Sequence, residues 1–183
     1  MGHRARREVP SSKALSAGRL PAMTDPKVQI GVLKAPAEAE ICARMMAESE
    51  PWRTLRRDHA QCLARVRDDT KERFVARNGR GVAGFLILDM RGAFSGYIQT
   101  VCVAPESRGA GIGSALMRHA EERVFRESSN VFLCVSSFNP KARRLYERLG
   151  YEPIGELRDY LVRGHSELLM RKTTGPLRER ESL

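Results

Sequence analysis

The sequence predicts one α/β domain, a single mixed layer of strands and helices in the order βααβββαβαββ. Three observations carry that prediction. Short apolar or alternating segments are interleaved with segments of helical period. Asn78-Gly79 stands between two strand-like runs, a strong short-range hairpin signal. The stretch "RGAGIGSAL", residues 108–116, puts glycines at 109, 111 and 113 between a strand-like run and a helical one. A chain of 183 residues fits one domain and can bury a core without disulfides or metal.

The segment "KVQIGVL" (27–33) alternates and carries β-branched residues, so it reads as a strand. Pro36 opens a helical pattern with Ile41, Met45 and Met46 on one face, and "SEPW" ends it. Leu55, His59, Cys62, Leu63 and Val66 recur at helical spacing and predict a second helix, with His59 on its apolar face as a packing residue. "RFVAR" and "VAGFLILDM" are the arms of the Asn78-Gly79 hairpin, and "GYIQTVCV" (96–103) is a further strand. Ile112, Leu116, Ala120 and Val124 predict a helix from residue 111 onward. "VFLCVSS" (131–137) reads as a buried strand. Asn139-Pro140 supplies an N-cap and a first-turn proline, and Gly150 a stop, around "KARRLYERL". "YEPIGEL" and "SELLMRK" close the set as a hairpin.

Composition narrows the classes. No apolar stretch approaches the roughly 18–20 residues of a membrane span. The first residues lack the apolar core of a secretory signal, although their basic, acid-poor character also fits a transit peptide. Met23, ahead of "TDPKVQI", reads as a more natural start, which makes residues 1–24 a disordered basic tail or a mis-assigned start. Cys42, Cys62, Cys102 and Cys134 have no CxxC spacing and read as reduced core residues of a cytoplasmic protein, with no metal site. The net charge of +10 invites a nucleic-acid reading. Five bases against one acid in residues 1–22 hold +4 of it, and the rest is interleaved with acids, which argues against nucleic acid and suits an anionic ligand equally well.

A glycine-rich turn opening a helix presents free N–H groups and the positive end of the helix dipole to an anion. Each such contact contributes only about 0.3–1 kcal/mol, so several must converge. The loop lacks the Lys-Ser/Thr of a phosphate-binding Walker loop and the spacing of a dinucleotide fingerprint. On its own it also fits a purely structural turn.

The context is more specific. Arg108-x-x-Gly111-x-Gly113, after a strand reading "VCVAPE", resembles the pyrophosphate-binding motif of the GNAT acetyltransferase superfamily. "NPKARRLYERLGYEPIGE" resembles its second signature, the helix carrying Asn and Tyr. The resemblance covers residues 27–172. It implies a GNAT-like single domain, a mixed, mostly antiparallel central sheet flanked by helices, with the acetyltransferase domain at 25–172 and a C-terminal tail at 173–183. It implies acetyl-CoA as donor, an amine on a small molecule or a peptide as acceptor, no membrane partner, and paired subunits as a frequent arrangement.

The same resemblance implies roles. The backbone of Val101, Cys102 and Val103 would bind the pantetheine arm as an added strand. Arg108, Gly109, Ala110, Gly111, Ile112 and Gly113 match the pyrophosphate turn, with Ser114 adjoining it, and the Arg108 N–H counts for more than its charge. Asn139 would contact the cofactor, cap its helix, or both. Tyr146, seven residues on, matches the general acid that protonates the departing thiolate; the residue-level alternative is a core tyrosine. Many relatives that acetylate N-termini carry a glutamate five residues before the Asn, where this chain has Cys134, so no base transfers. Tyr97 and Gln99 stand where other relatives carry an acid. Glu48, Glu50, Asp89 and ordered water are the remaining sources of a base. Trp52, Tyr97, Gln99, Tyr160 and His165 are expected around the acceptor, with Asp159 attracting a cation. Deprotonating a lysine at neutral pH costs about 4 kcal/mol against under about 1 kcal/mol for an α-amine, so a site without a base favours the latter. A non-catalytic acyl-CoA-binding module on the same scaffold is the alternative that the missing base keeps open.

Overall fold

The structure, a computed structural model, describes residues 28–177. The expected tail at 1–24 and the end of the one at 173–183 lie outside the described residues. The elements run β1 (Gln29–Val32), α1 (Pro36–Ala47), α2 (His59–Arg67), β2 (Glu72–Asn78), β3 (Gly81–Asp89), β4 (Tyr97–Val103), α3 (Ile112–Val124), β5 (Asn130–Ser136), α4 (Pro140–Arg148), β6 (Glu152–Arg158) and β7 (Ser166–Thr173), with one 3-10 turn at Pro105–Ser107. The order expected from the sequence is the order found.

Seven strands form one sheet in the order β1-β2-β3-β4-β5-β7-β6. Every neighbouring pair is antiparallel except β4 and β5. Alternation along the strands divides the core between the two faces. Phe74, Leu86, Ile98, Leu133 and Val135 pack under α3, where Leu116, Met117 and Ala120 are fully buried. Val75, Phe85, Ile87 and Cys102 pack under α1 and α2 with Cys42, Met46, Cys62 and Val66. Cys42, Cys62 and Cys102 are therefore buried free thiols, and Cys134 is half-buried.

Two local expectations change. Ile41 does not share the buried face of α1 with Met45 and Met46; it is 46% exposed, and Cys42 and Ala43 fill that face instead. The second helix begins at His59, not Leu55. Asp58 accepts from the Gln61 N–H at 2.8 Å and Gln61 reaches back, a capping box that outcompetes continuation from Leu55. His59 is consequently an exposed first-turn residue 3.5 Å from Glu40, not a packing residue on the apolar face. Past β7, Thr174 donates to the Ser129 carbonyl at 2.9 Å and the Ser129 hydroxyl donates to that of Pro176 at 2.8 Å, so the chain stays on the sheet there.

Gly96 fixes where β4 meets β5. Its carbonyl accepts from the Phe132 N–H at 3.0 Å, its φ is +90°, and a Cβ there would lie 2.6 Å from Val124 Cγ1 and 2.7 Å from the Asn130 carbonyl oxygen. Gly96→Ala is expected to cost about 2–4 kcal/mol in chemical denaturation, backbone strain and overpacking acting together. Gly164→Ala, at φ +81° with open space around it, should cost no more than about 1–2 kcal/mol from strain alone; equal losses would remove the steric part of the explanation.

Candidate active site

β4 and β5 share two rungs, Tyr97 with Phe132 and Ile98 with Leu133, and then diverge. The Ala104 N–H donates to Ala83 on β3. Strand alternation then turns the backbone of Cys102 toward β3, opposite its partner Phe85, and the N–H and C=O groups of Val101 and Val103 toward the open fork. So Val101 and Val103 present backbone to the fork, and Cys102 does not.

The glycine turn lies beyond the fork. Gly109 has φ +83° and Gly111, the N-cap of α3, φ +80°; both need the left-handed region that glycine reaches without strain. Gly113 has no such need; a Cβ there would meet Leu145 and Val103 at ordinary contact distance. The first N–H after the turn to find a helical partner is that of Ala115, on the Gly111 carbonyl at 3.0 Å. Among the described residues no acceptor is recorded for the N–H groups of Gly109, Ala110, Gly111, Ile112, Gly113 and Ser114. Arg108 differs from expectation: its N–H already donates to the Pro105 carbonyl at 3.3 Å, closing the 3-10 turn. Its guanidinium instead donates to the Val103 carbonyl and to the Ser49 hydroxyl, each at 3.2 Å. Arg53, Arg108, Lys141 and Arg148 surround this groove of about 810 Å³.

A second cavity of about 440 Å³ occupies the fork on the α1–α2 face of β5 and β7, and the two share Glu50, Trp52, Val101, Asn139 and Ala142. Trp52, Tyr97, Gln99, Cys134 and Tyr160 line it; His165 does not, its ring lying edge-on to Phe138 at 5.0 Å between centroids. Asp159 is occupied locally, its carboxylate accepting from the Gly164 N–H at 2.6 Å. Asn139 caps α4, its Oδ1 accepting from the Ala142 N–H at 3.3 Å, and its –NH₂ group has no recorded acceptor among the described residues. Tyr146, half-buried on α4 and edge-on to Tyr151, reaches the cavity through the fork. Burial, with the Cys102 thiol beside it, pushes its phenol up to about 12.

Sequence reasoning missed Glu167. It pairs with Ser136 across β5 and β7 and lines the same cavity as Tyr146 at 4% exposure. No cation within ion-pairing distance is recorded for it among the described residues. Burial raises its carboxyl above the ordinary range, and the Ser136 hydroxyl opposes this in part. Burial also raises Tyr97, whose hydroxyl neighbours Cys134 and Glu167, and the Cys134 thiol. The signal available in sequence was an acid within the apolar run "SELLM". Of the other acids, Asp89 is ion-paired to Lys71, Glu48 faces the glycine groove, and Glu50 borders both cavities.

The profile of the acetyltransferase (GNAT) family matches residues 37–151. The chain belongs to the GNAT family. It is 30% identical over 166 residues to the N-alpha-acetyltransferase RimI of Mycobacterium tuberculosis, covering 83% of this chain and 96% of that one. GNAT folds of known structure superpose on it at 18% identity. The ribosomal-protein-S18-alanine N-acetyltransferase of Escherichia coli does so with TM-score 0.67 over 85% of this chain and 99% of the other. The spermidine N-acetyltransferase of Vibrio cholerae, solved with CoA and spermine, does so with TM-score 0.64 over 81% and 96%. Family membership makes the protein an N-acetyltransferase, and acetyl-CoA is the donor the family uses. No helix among the described residues is long and apolar enough to cross a membrane.

The raised carboxyl of Glu167 has a thermodynamic signature. The folded state holds this proton more tightly than the unfolded one, so its contribution to stability falls as pH rises from 4.5 through the folded pKa. Glu167→Gln should therefore stabilise the protein at pH 7 relative to wild type, and the gain should shrink by pH 4. Denaturation curves at both pH values check this; a gain that grows on acidification would contradict it.

Proposed function

We propose that the protein transfers an acetyl group from acetyl-CoA to a primary amine, on a peptide or protein N-terminus or on a small molecule, by direct attack in a ternary complex. The observation that supports this is the junction of groove and cavity at Glu50, Trp52, Val101, Asn139 and Ala142, with Tyr146 and Glu167 on the cavity side. The groove fits the donor. Six unpaired N–H groups without obstructing side chains at 109, 111 and 113 suit a diphosphate, and four cations suit its charge. When bound, acetyl-CoA supplies an activated thioester. Val101 and the Val103 N–H would hold its pantetheine arm by backbone pairing, the Val103 carbonyl already accepting from Arg108, while Gly109 through Ser114 would hold the diphosphate, the Arg108 side chain would add charge, and the Asn139 amide would contact the donor near the fork.

Tyr146 keeps its proton at neutral pH and gives it to the sulfur as the C–S bond breaks. Glu167 accepts one proton from the acceptor's ammonium, leaving the neutral amine that attacks, and the second proton the nitrogen loses as the amide forms restores Tyr146; the raised pKa of Glu167 makes it a stronger base than an exposed carboxylate. Holding donor and amine on either side of one fork makes the attack effectively unimolecular.

The deciding experiment is thiol release from acetyl-CoA across a panel of peptides and small amines, with mass detection of the product. Acceptor-dependent release is expected. Binding of CoA without it would identify a non-catalytic module instead. Tyr146→Phe should lower kcat about 10²–10⁴-fold with little change in acetyl-CoA affinity. Glu167→Gln should lower kcat/KM and abolish the acidic limb of its pH profile, a change a merely structural role would not produce. In calorimetric titration with acetyl-CoA, Gly111→Val should weaken binding more than Arg108→Ala, since only the former displaces the N–H array; the reverse order would defeat the backbone assignment.

A further inference from the structure

Two side chains in the fork cavity have no task in the reaction above. Arg57 and Arg65 both line it. Arg57 is exposed at its rim and Arg65 is half-buried. Neither has a carboxylate within 4.0 Å among the described residues, whereas Arg67, on the same helix as Arg65, is held by Glu40 at 2.8 Å.

The backbone at Arg57 is fixed on both sides. The Arg57 N–H donates to the Trp52 carbonyl at 2.9 Å, and Trp52 is itself only 9% exposed. Arg56 beside it has φ +51°, the left-handed region that a non-glycine residue enters only under constraint. The Asp58 capping box then starts α2 directly after Arg57.

The cavity's own carboxylates pair with neither arginine among the described residues. Its two carboxylates are Glu50 and Glu167. The Glu50 carboxylate accepts from the Thr54 N–H at 3.2 Å, within its own turn. Glu167 lies buried against Ser136 and is not within 4.0 Å of either arginine's charged nitrogens. Two arginines without partners therefore face an acceptor that must itself be an amine. A polyamine would add positive charge to positive charge there. An amine bearing an anion would pair with the arginines through charge-assisted hydrogen bonds, the strongest this side chain makes.

We propose that Arg57 and Arg65 form an anion-recognition pair, and that the acceptor is a primary amine with a carboxylate or phosphate on the same molecule. This rests on assigning the fork cavity to the acceptor. The test uses matched pairs that differ in the anion alone: β-alanine against β-alaninamide, and phosphoethanolamine against ethanolamine, with spermidine as the cationic member. Each is titrated by NMR into the full chain saturated with CoA, and no turnover is needed.

The anionic twin should bind roughly tenfold tighter in at least one pair. That preference should decline between about 0.05 and 0.5 M NaCl, and vanish in the double variant Arg57→Gln/Arg65→Gln. The better pair tells carboxylate from phosphate. Equal affinities within both pairs, tightest binding by spermidine, no binding by any member at millimolar concentration, or a preference that survives in the double variant would each overturn the proposal. The enzymatic reading fails separately. An anionic preference in binding without acetyl transfer to any amine would remove that reading and leave this one.

Discussion

β4 and β5 separate after two rungs, in the interior of a seven-stranded sheet, and leave backbone groups of β4 without a neighbouring strand. An unpaired amide kept from water costs about 1–3 kcal/mol, so a sheet does not open in its middle without reason. The arms survive because each is held on its other side. β5 pairs with β7 over seven rungs, and β4 with β3 over six. Gly96 and the buried face of α3 fix the vertex. The fork is thus a rigid gap lined by hydrogen-bonding groups already aimed outward. Such a gap suits an extended chain that would complete the sheet at low cost in ordering.

The two helices that flank the gap meet it in different ways. α3 brings its N-terminus with uncapped N–H groups, because Gly111 supplies no side-chain oxygen where Ser, Asp or Asn would cap. α4 is capped by Asn139 and has no fully buried residue, yet Ala142, Tyr146 and Leu149 pack on the core. It sits across the fork like a lintel, so a residue packed from the α3 face reaches the opposite cavity. That position explains why Tyr146 is at once a packing residue and a lining one. Its desolvation, which pushes the phenol to about 12, follows from the same placement.

Most of the fold was legible because its signals are local. The apolar spacing of α3, the Asn78-Gly79 hairpin and the Asn139-Pro140 start each lie within one element, and each forms as read. The start of α2 was misplaced because apolar spacing from Leu55 was weighed and the Asp58-Gln61 capping box was not. Arg108 shows a subtler failure. Its place in a glycine-rich motif suggested a free N–H, but Pro105 three residues earlier closes a turn onto it. Glu167 was illegible for a different reason. Its neighbour in space is Ser136, about thirty residues earlier, and only the insertion of β7 between β5 and β6 brings the two together. The same holds for Arg57 and Arg65, which meet at one cavity only because α2 lies beside the fork.

A buried carboxylate as base changes what the amine's own pKa means. Lysine, near 10.4, stands about 2.5 units above an α-amine near 7.9, a difference of about 3.4 kcal/mol in giving up a proton. Raising the pKa of Glu167 narrows the gap to both amines by the same amount and leaves their order unchanged. Positive charge from Arg57 and Arg65 pushes every amine in the cavity toward its neutral form, again without reordering them. On the proposed reading the base therefore selects by how weakly an amine holds its proton, while the arginines select by what else the acceptor carries. The two filters act on different parts of one molecule, so each can be altered without disturbing the other.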